Sequence, residues 1–127
     1  MTFERSFYYC SICKNLVELV EDGGGELICC GQPMELLTAN TTDAATEKHL
    51  PVGERQGNKL HVKVSSVAHP MLEAHYIQWI LVAQGAKTQR VDLEPEQAPE
   101  ADFIVDDGPL SIYEYCNLHG LWVSDSD

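Results

Sequence analysis

The sequence predicts an all-β protein in which a small metal-binding unit precedes a β-sandwich. Three observations support this fold class. Short stretches that favour strands recur between turn signals, no stretch has a convincing helical period, and four of the 5 cysteines lie within the first thirty residues. A chain of 127 residues is long enough for one ordinary domain, or for a small sandwich with an appendage.

Composition narrows the classes of partner and compartment. The formal net charge is −12, from 20 acidic and 8 basic side chains, which opposes non-specific binding to nucleic acid or to an anionic membrane. The first residues lack the pattern of a signal peptide, and no apolar run is long enough to span a bilayer. We therefore expect a soluble cytoplasmic protein with no nucleic-acid and no membrane partner.

Residues 1–37 are predicted to form the small unit. Because the cytosol keeps thiols reduced, its cysteines are more simply explained as metal ligands than as disulfides. A Cys-x-x-Cys knuckle and a later adjacent pair make a four-sulfur set: Cys10, Cys13, Cys29 and Cys30. So short a unit buries too little apolar surface to fold alone, and metal binding would supply the missing free energy. Adjacent cysteines in an extended segment point in opposite directions, so we expect a distorted tetrahedron.

Two strand signals lie between these cysteine pairs. Residues 16–20 alternate between apolar and polar side chains, and this pattern predicts a short strand. The three glycines at residues 23–25 predict a hairpin turn into a second strand near residues 27–31.

Residues 38–127 are predicted to form the sandwich, with the small polar residues 40–46 as the linker. Lys59–Val64 alternates, so it is predicted to be a half-buried strand with His61 on its solvent side as an ordinary surface histidine. The apolar run that ends at Val82 fits a central strand. Residues 84–90 are predicted to form a turn and a short strand, and further strand signals occupy residues 103–105 and 110–115. The acidic residues 92–102 are predicted to be a solvated loop without chemistry.

Four histidines and one cysteine of this second domain lie at predicted strand ends or turns: His49, His69, His75, Cys116 and His119. Imidazole and thiolate together suit a first-row transition metal. Structural zinc normally closes at four ligands, so a five-donor set favours iron with one octahedral position left open. Catalysis requires such an open position.

The chain resembles the two-iron desulfoferrodoxins, which are superoxide reductases with an amino-terminal desulforedoxin-like domain. The resemblance covers essentially the whole chain and is carried by Cys10-x-x-Cys13, Cys29-Cys30-Gly31 with Pro33-Met34, Glu47-Lys48-His49-x-Pro51, His69-Pro70 with His75-Tyr76-Ile77, and Cys116-Asn117-x-His119-Gly120. One departure is Lys14, because the family usually places glycine after the second knuckle cysteine, where a positive φ is often needed.

The resemblance implies a homodimer with two iron ions per chain. The first would be a distorted rubredoxin-like Fe(Cys)4 centre in a desulforedoxin-like domain. The second would lie in an immunoglobulin-like sandwich, with the four histidines as equatorial ligands and Cys116 as the axial thiolate. Replacement of iron by zinc or calcium stays open.

The resemblance also implies an activity, the one-electron reduction of superoxide to hydrogen peroxide, which detoxifies superoxide in an anaerobe or microaerophile. Rubredoxin or a similar protein would be the external electron donor. Lys48 would attract superoxide and organise a protonating water, and Glu47 would occupy the open position of the ferric resting state.

Three alternatives stay open from the residues alone. The chain could be a pure electron-transfer protein, a zinc-stabilised binding module or a superoxide dismutase. Whether the four-cysteine centre relays electrons or only stabilises the fold is also open. An open coordination position argues against a pure carrier, and oxygen evolution would distinguish a dismutase from a reductase.

Overall fold

The structure is a computed structural model that describes residues 2–41, 49–64 and 69–126. The chain divides into two compact units, Glu4–Thr38 and the combination of Met1–Phe3 with Ala39–Asp127. Every regular element within the described residues is a strand, which confirms the all-β prediction. Among these residues there is no helix that is long and apolar enough to cross a membrane.

The small unit contains five short strands: β1 (Ser6–Tyr9), β2 (Leu16–Leu19), β3 (Ile28–Cys29), β4 (Gln32–Pro33) and β5 (Glu35–Leu36). Strand β1 lies between β2 and β5 in an antiparallel sheet, and β3 and β4 form a separate hairpin. The predicted hairpin across residues 23–25 is therefore wrong. The cysteine knuckle itself reverses the chain between Tyr9 and Leu16, so β2 pairs with β1.

In the larger unit, seven strands are formed by residues 49–64 and 69–126: β6 (Pro51–Gln56), β7 (Lys59–Val64), β8 (Ile77–Gln84), β9 (Lys87–Asp92), β10 (Glu100–Ile104), β11 (Leu110–Cys116) and β12 (Gly120–Ser126). They form two antiparallel sheets with the orders β10-β7-β6 and β12-β11-β8-β9. Sheets of three and four strands match an immunoglobulin-like sandwich. In the four-stranded sheet, β9 is the additional edge strand, which extends the group β12-β11-β8 beside β8.

The core lies between the two sheets and follows the alternation of the strands. On β7, Leu60, Val62 and Val64 are buried, while His61 lies on the outer face, as predicted. The opposite sheet contributes core residues from β8 and β11, among them Ile80. A strand that alternates in this way can present one apolar face to the core without burying its charged residues.

Part of the acidic segment 92–102 belongs to a strand, which corrects the prediction of a loop. Strand β10 begins at Glu100, where the acidic side chains alternate with residues that face inward. Its acidic residues lie opposite basic partners on β7: Glu100 pairs with Lys63, and Asp102 pairs with His61. Cross-strand pairs of opposite charge stabilise a sheet, so a solvated acidic face is compatible with a strand here.

The first residue of the predicted linker is bound to the sandwich. The backbone N–H of Asn40 donates to the carbonyl of Leu121 at 3.0 Å, and its side chain bonds both peptide groups of Val123 at 2.9 and 3.0 Å. Residues 42–46 lie outside the described part of the chain.

Candidate metal centres

Four cysteines of the small unit form the first candidate centre, here called the cysteine cluster: Cys10, Cys13, Cys29 and Cys30. The first two lie in the turn between β1 and β2, where the backbone N–H of Lys14 donates to the carbonyl of Cys10 at 2.8 Å. Lys14 has a φ of 66°, so a lysine adopts the left-handed conformation that usually favours glycine. The resemblance implied a positive φ at this position.

The second pair of cysteines occupies the turn of the β3–β4 hairpin. Cys29 pairs with Gln32, and the two turn residues, Cys30 and Gly31, have φ values of 53° and 78°. Positive φ at both central residues is characteristic of a tight type I′ turn. Cys30 is therefore not extended, and this turn allows two adjacent cysteines to contribute to one cluster.

The sulfur positions of the cysteine cluster fit one metal ion. All four Sγ atoms lie within 4.8 Å of one another, and those of Cys13 and Cys29 are 3.5 Å apart. Sulfur atoms at tetrahedral corners, each about 2.3 Å from one ion, would be about 3.8 Å apart. The cluster therefore has the dimensions of a tetrathiolate site.

The electrostatics of the cysteine cluster also indicate that it binds a cation. The backbone N–H of Cys13 lies 3.5 Å from the Cys10 sulfur and lowers the pKa of Cys10 to about 6. In contrast, the neighbouring sulfur atoms of Cys13 and Cys10 raise the pKa of Cys30 to about 12. Four thiolates cannot coexist at this distance without a positive ion, so metal binding would have to displace protons.

The second candidate centre, here called the histidine cluster, lies in the sandwich unit and contains five donors among the described residues: His49, His69, His75, Cys116 and His119. No donor lies inside a strand: each is at the end of a strand, in a turn or in a connecting segment. Cys116 is the last residue of β11, and His119 lies in the turn that leads to β12. His49 lies in the turn into β6, while His69 and His75 lie before β8.

The four imidazole rings form a closed cycle. Neighbouring rings in the order His49, His69, His75, His119 and back to His49 have centroids 4.7 to 4.9 Å apart. Their planes meet at 76° to 84°, so each ring stands nearly perpendicular to its neighbours. This arrangement places four donor nitrogens at the corners of an approximate square.

The nitrogen positions fit a single ion at the centre of that square. Nε2 of His49 lies 3.1 Å from Nε2 of His69 and 3.1 Å from Nδ1 of His119. Two nitrogens at right angles, each about 2.1 Å from one ion, would be about 3.0 Å apart. Nε2 of His75 is buried and has no hydrogen-bond partner among the described residues. A buried nitrogen that lacks a partner is accounted for by a metal ion in this position.

The cysteine sulfur lies out of the plane of the square. Sγ of Cys116 is 3.6 Å from Nε2 of His69 and 3.8 Å from Nδ1 of His119, which are opposite corners. Within the plane, the places at similar distances from these two corners lie toward the other two corners, which His49 and His75 fill. The sulfur therefore lies out of the plane. Among the described residues the five donors thus form an approximate square pyramid, and an ion held by them would have its remaining position opposite the sulfur.

Sequence comparisons and structural comparisons agree with this pair of clusters. The Desulfoferrodoxin family matches residues 41–125, and the family described as Desulfoferrodoxin, N-terminal domain, matches residues 2–37. The chain belongs to the desulfoferrodoxin family. The cysteine and histidine clusters match the two-iron arrangement of desulfoferrodoxins.

Individual relatives support the family assignment over the full length. The desulfoferrodoxin of Syntrophotalea carbinolica is 54% identical over 125 residues, which are 98% of this chain and 99% of the relative. The crystal structure of the superoxide reductase from Treponema pallidum has a TM-score of 0.77 and 38% identity, and covers 95% of this chain and 98% of its own. The superoxide reductase (1Fe-SOR) of Giardia intestinalis covers 64% of this chain and 98% of its own, with a TM-score of 0.58 and 32% identity.

Burial favours the neutral form of two histidines of this desulfoferrodoxin site. It lowers the pKa of His69 to about 4 and also lowers the pKa of His75. Nδ1 of His69 lies 2.6 Å from the carbonyl oxygen of Pro70, which can only accept, so Nδ1 carries the proton and Nε2 keeps its lone pair. Burial raises the pKa of Cys116, so a metal ion would have to replace the thiol proton.

A β-bulge lies on β8 opposite the cysteine of the histidine cluster. Between β11 and β8, Tyr115 pairs with Trp79 but Cys116 pairs with Ile77, so Gln78 is an extra residue on β8. Both Cys116 and Ile77 face the core and are fully buried. Bulges change the direction of side chains beside functional sites, and this one places Ile77 on the inner face opposite Cys116.

Trp122 supports two of the ligands at once. Its ring stacks on His49, with centroids 4.9 Å apart and an interplanar angle of 17°. Its Nε1–H donates to the backbone carbonyl of His119 at 3.1 Å. The sequence reasoning did not identify Trp122, although its position three residues after His119 places it beside the site.

Glu114 is a second residue that the sequence reasoning missed. It is fully buried on the same face of β11 as Ile112 and Cys116, and neither carboxylate oxygen has a hydrogen-bond partner among the described residues. Burial raises the pKa of Glu114 well above its usual value and favours the neutral form. The sequence signal that could have identified Glu114 is its place at an inward-facing position of a strand whose side chains alternate between two faces.

Two of the predicted functional residues, Glu47 and Lys48, lie outside the described part of the chain. His61 is excluded from the histidine cluster, in agreement with its assignment as a surface residue. Its Nδ1 lies 2.7 Å from a carboxylate oxygen of Asp102 on the outer face of the three-stranded sheet.

Proposed function

We propose that the chain is a superoxide reductase that converts superoxide, one electron and two protons into hydrogen peroxide. The proposal is carried by the square pyramid of four imidazoles and one sulfur, with a sixth position opposite Cys116 for a small anion. Iron bound there would supply the electron, and an external donor would return it. Solved superoxide reductases that cover nearly all or about two thirds of this chain support the same activity.

The ligands of this chain would prepare the site for that reaction. Four neutral imidazoles hold a cation without cancelling its charge, so the site would remain attractive to an anion. Cys116 would bind as a thiolate, whose electron density favours oxidation of a ferrous ion. The cysteine cluster would hold the second iron through its four thiolates.

The proposal also assigns roles to Lys48 and Glu47, on the basis of their positions in the sequence. Superoxide is an anion and the formal net charge of the chain is −12, so a local cation is needed to offset the long-range repulsion. Lys48 directly precedes the buried ligand His49 and is the residue that we assign to this role. Glu47 would occupy the sixth position between turnovers.

The physiological setting is part of the same proposal. A reductase returns no dioxygen and therefore consumes electrons, for which we infer a rubredoxin-like donor. We further infer a cytoplasmic homodimer that removes superoxide in an anaerobe or microaerophile.

Two measurements on purified protein test the function. We expect two irons per chain, one with a rubredoxin-like spectrum and one with a thiolate-to-iron charge-transfer band. Superoxide from a pulse should then oxidise the ferrous form, so that the charge-transfer band of the ferric form appears, with formation of hydrogen peroxide and no oxygen beyond that of spontaneous dismutation. Catalytic oxygen evolution would instead identify a dismutase, and zinc in place of iron in protein from iron-replete cells would contradict the proposal.

A further inference from the structure

The segment that carries His75 is held by little regular structure of its own. It forms an isolated bridge in which Leu72 and His75 exchange both backbone hydrogen bonds at 2.9 Å, and β8 begins only at Ile77. His75 must nevertheless hold its Nε2 toward three other rings and the sulfur of Cys116. A short turn alone does not determine the position of a ring relative to another strand.

Asn117 connects this segment to the turn that carries the other ligands. Its backbone N–H donates to the carbonyl of Tyr76 at 3.2 Å, and its Oδ1 accepts from the N–H of Tyr76 at 2.9 Å. Its Nδ2 donates to the carbonyl of Ala74 at 3.0 Å. Three hydrogen bonds from one residue therefore bind both sides of His75, and Asn117 itself lies between Cys116 and His119.

The chemistry of the amide explains why asparagine suits this position. The ladder between β11 and β8 ends at the pair Cys116 and Ile77, because the chain then turns through residues 117–119 to Gly120, which has a φ of 82°. The Asn117 carboxamide continues the ladder where the backbone begins to turn away, since it offers an acceptor oxygen and an N–H donor as a peptide group does. Neither an apolar side chain nor a carboxylate can make both bonds.

We propose that Asn117 is a positioning residue that fixes His75 relative to Cys116 and His119. The inference rests on the proposed metal-binding role of the histidine cluster and is independent of the identity of the substrate. Loss of the Asn117 side chain would release the peptide groups on both sides of His75 and leave two backbone groups without these partners. The ring would then be free to leave the position that the other donors define.

Binding of Co²⁺ to the full-length protein tests this role. The shifted imidazole N–H signals of Co²⁺-loaded protein report the histidine cluster alone, because the cysteine cluster contains no imidazole. In competition with a chelator, Asn117→Ala should weaken Co²⁺ binding at the histidine cluster by about 10- to 100-fold. Asn117→Asp keeps the acceptor for Tyr76 but not the donor to Ala74, so its loss should be smaller. It also provides a measurable variant if Asn117→Ala does not fold.

The matched control is Gln84, whose side-chain amide also donates one hydrogen bond to the backbone and accepts another, but at the far end of β8. Its Nε2 donates to the carbonyl of Asp106 at 2.8 Å, and its Oε1 accepts from the N–H of Asp106 at 2.9 Å. Gln84 is the last residue of β8, roughly 23 Å along the strand from Ile77. Gln84→Ala should leave Co²⁺ binding unchanged. An equal loss in the Gln84 and Asn117 variants would overturn the proposal.

A double variant tests whether Asn117 acts through His75. In a His75→Ala background, Asn117→Ala should cause no further loss of Co²⁺ affinity, because the ligand it positions is gone. The same fold-loss in both backgrounds would show that Asn117 acts otherwise and would refute the inference. If these results hold but the iron protein does not reduce superoxide, the proposed function fails and the role of Asn117 stands.

Discussion

Replacing Trp122 by phenylalanine perturbs two ligands of the histidine cluster through one side chain. The variant keeps an aromatic ring that can stack on His49 but removes the Nε1–H that donates to the carbonyl of His119 at 3.1 Å. Trp122 is 1% exposed, so the lost volume cannot be filled by solvent. We expect both the stability of the sandwich and the affinity of the histidine cluster for metal to fall.

The size of the effect follows from these contacts. A buried hydrogen bond contributes about 1 kcal/mol to stability, and the carbonyl left without it adds to the loss. The smaller ring leaves a cavity that costs about 1–2 kcal/mol, a fraction of the 3–5 kcal/mol of a full truncation to alanine. The free energy of unfolding should therefore fall by about 2–3 kcal/mol. Loss of the hydrogen bond to the backbone of the ligand His119 should weaken metal binding by about tenfold.

The assay combines urea denaturation with chelator competition, and the other tryptophan supplies the control. Trp79 lies on the same sheet, is 8% exposed and stacks on Tyr115 with centroids 6.0 Å apart, and neither residue is a member of the histidine cluster. Trp79→Phe should lower stability without changing metal affinity. If both variants shift metal affinity equally, or if Trp122→Phe leaves it unchanged, the reasoning about Trp122 is refuted.

Three further predictions use single substitutions. Lys48→Ile should slow the second-order reaction with superoxide by about tenfold and flatten its dependence on ionic strength, and an unchanged stopped-flow rate would contradict the steering role. Cys116→Ser should abolish the thiolate-to-iron charge-transfer absorption of the ferric protein, and its persistence would remove Cys116 from the coordination sphere. Lys14→Gly should raise the denaturation midpoint of the small unit by relieving up to about 1 kcal/mol of left-handed strain, whereas Gly31→Ala, at a φ of 78°, should lower it. A drop in the midpoint of Lys14→Gly would show that the unfolded-state entropy of glycine dominates.

Local patterns in the sequence predicted much of the fold. The alternation in Lys59–Val64 identified β7 and placed His61 on its outer face, because side chains on a strand alternate with a period of two. The same reasoning failed at residues 23–25, where glycines suggested a hairpin. Strand pairing depends on which turn reverses the chain, and here the cysteine knuckle does so. Local patterns also placed the start of β10 too late. Acidic residues are depleted in strands, but here basic partners lie opposite them and allow the strand.

The sequence by itself determined the chemistry of both centres. Ligand types and local spacing identify a four-sulfur set and a set of four imidazoles with one thiolate, because short motifs and donor classes are properties of the chain alone. Only the tertiary structure decided the arrangement of the second set: the cyclic order of the rings, the stacking of Trp122 and the hydrogen bonds of Asn117 on both sides of His75. These features join residues up to seventy positions apart, and their relation depends on strand register, on one β-bulge and on the packing of two sheets.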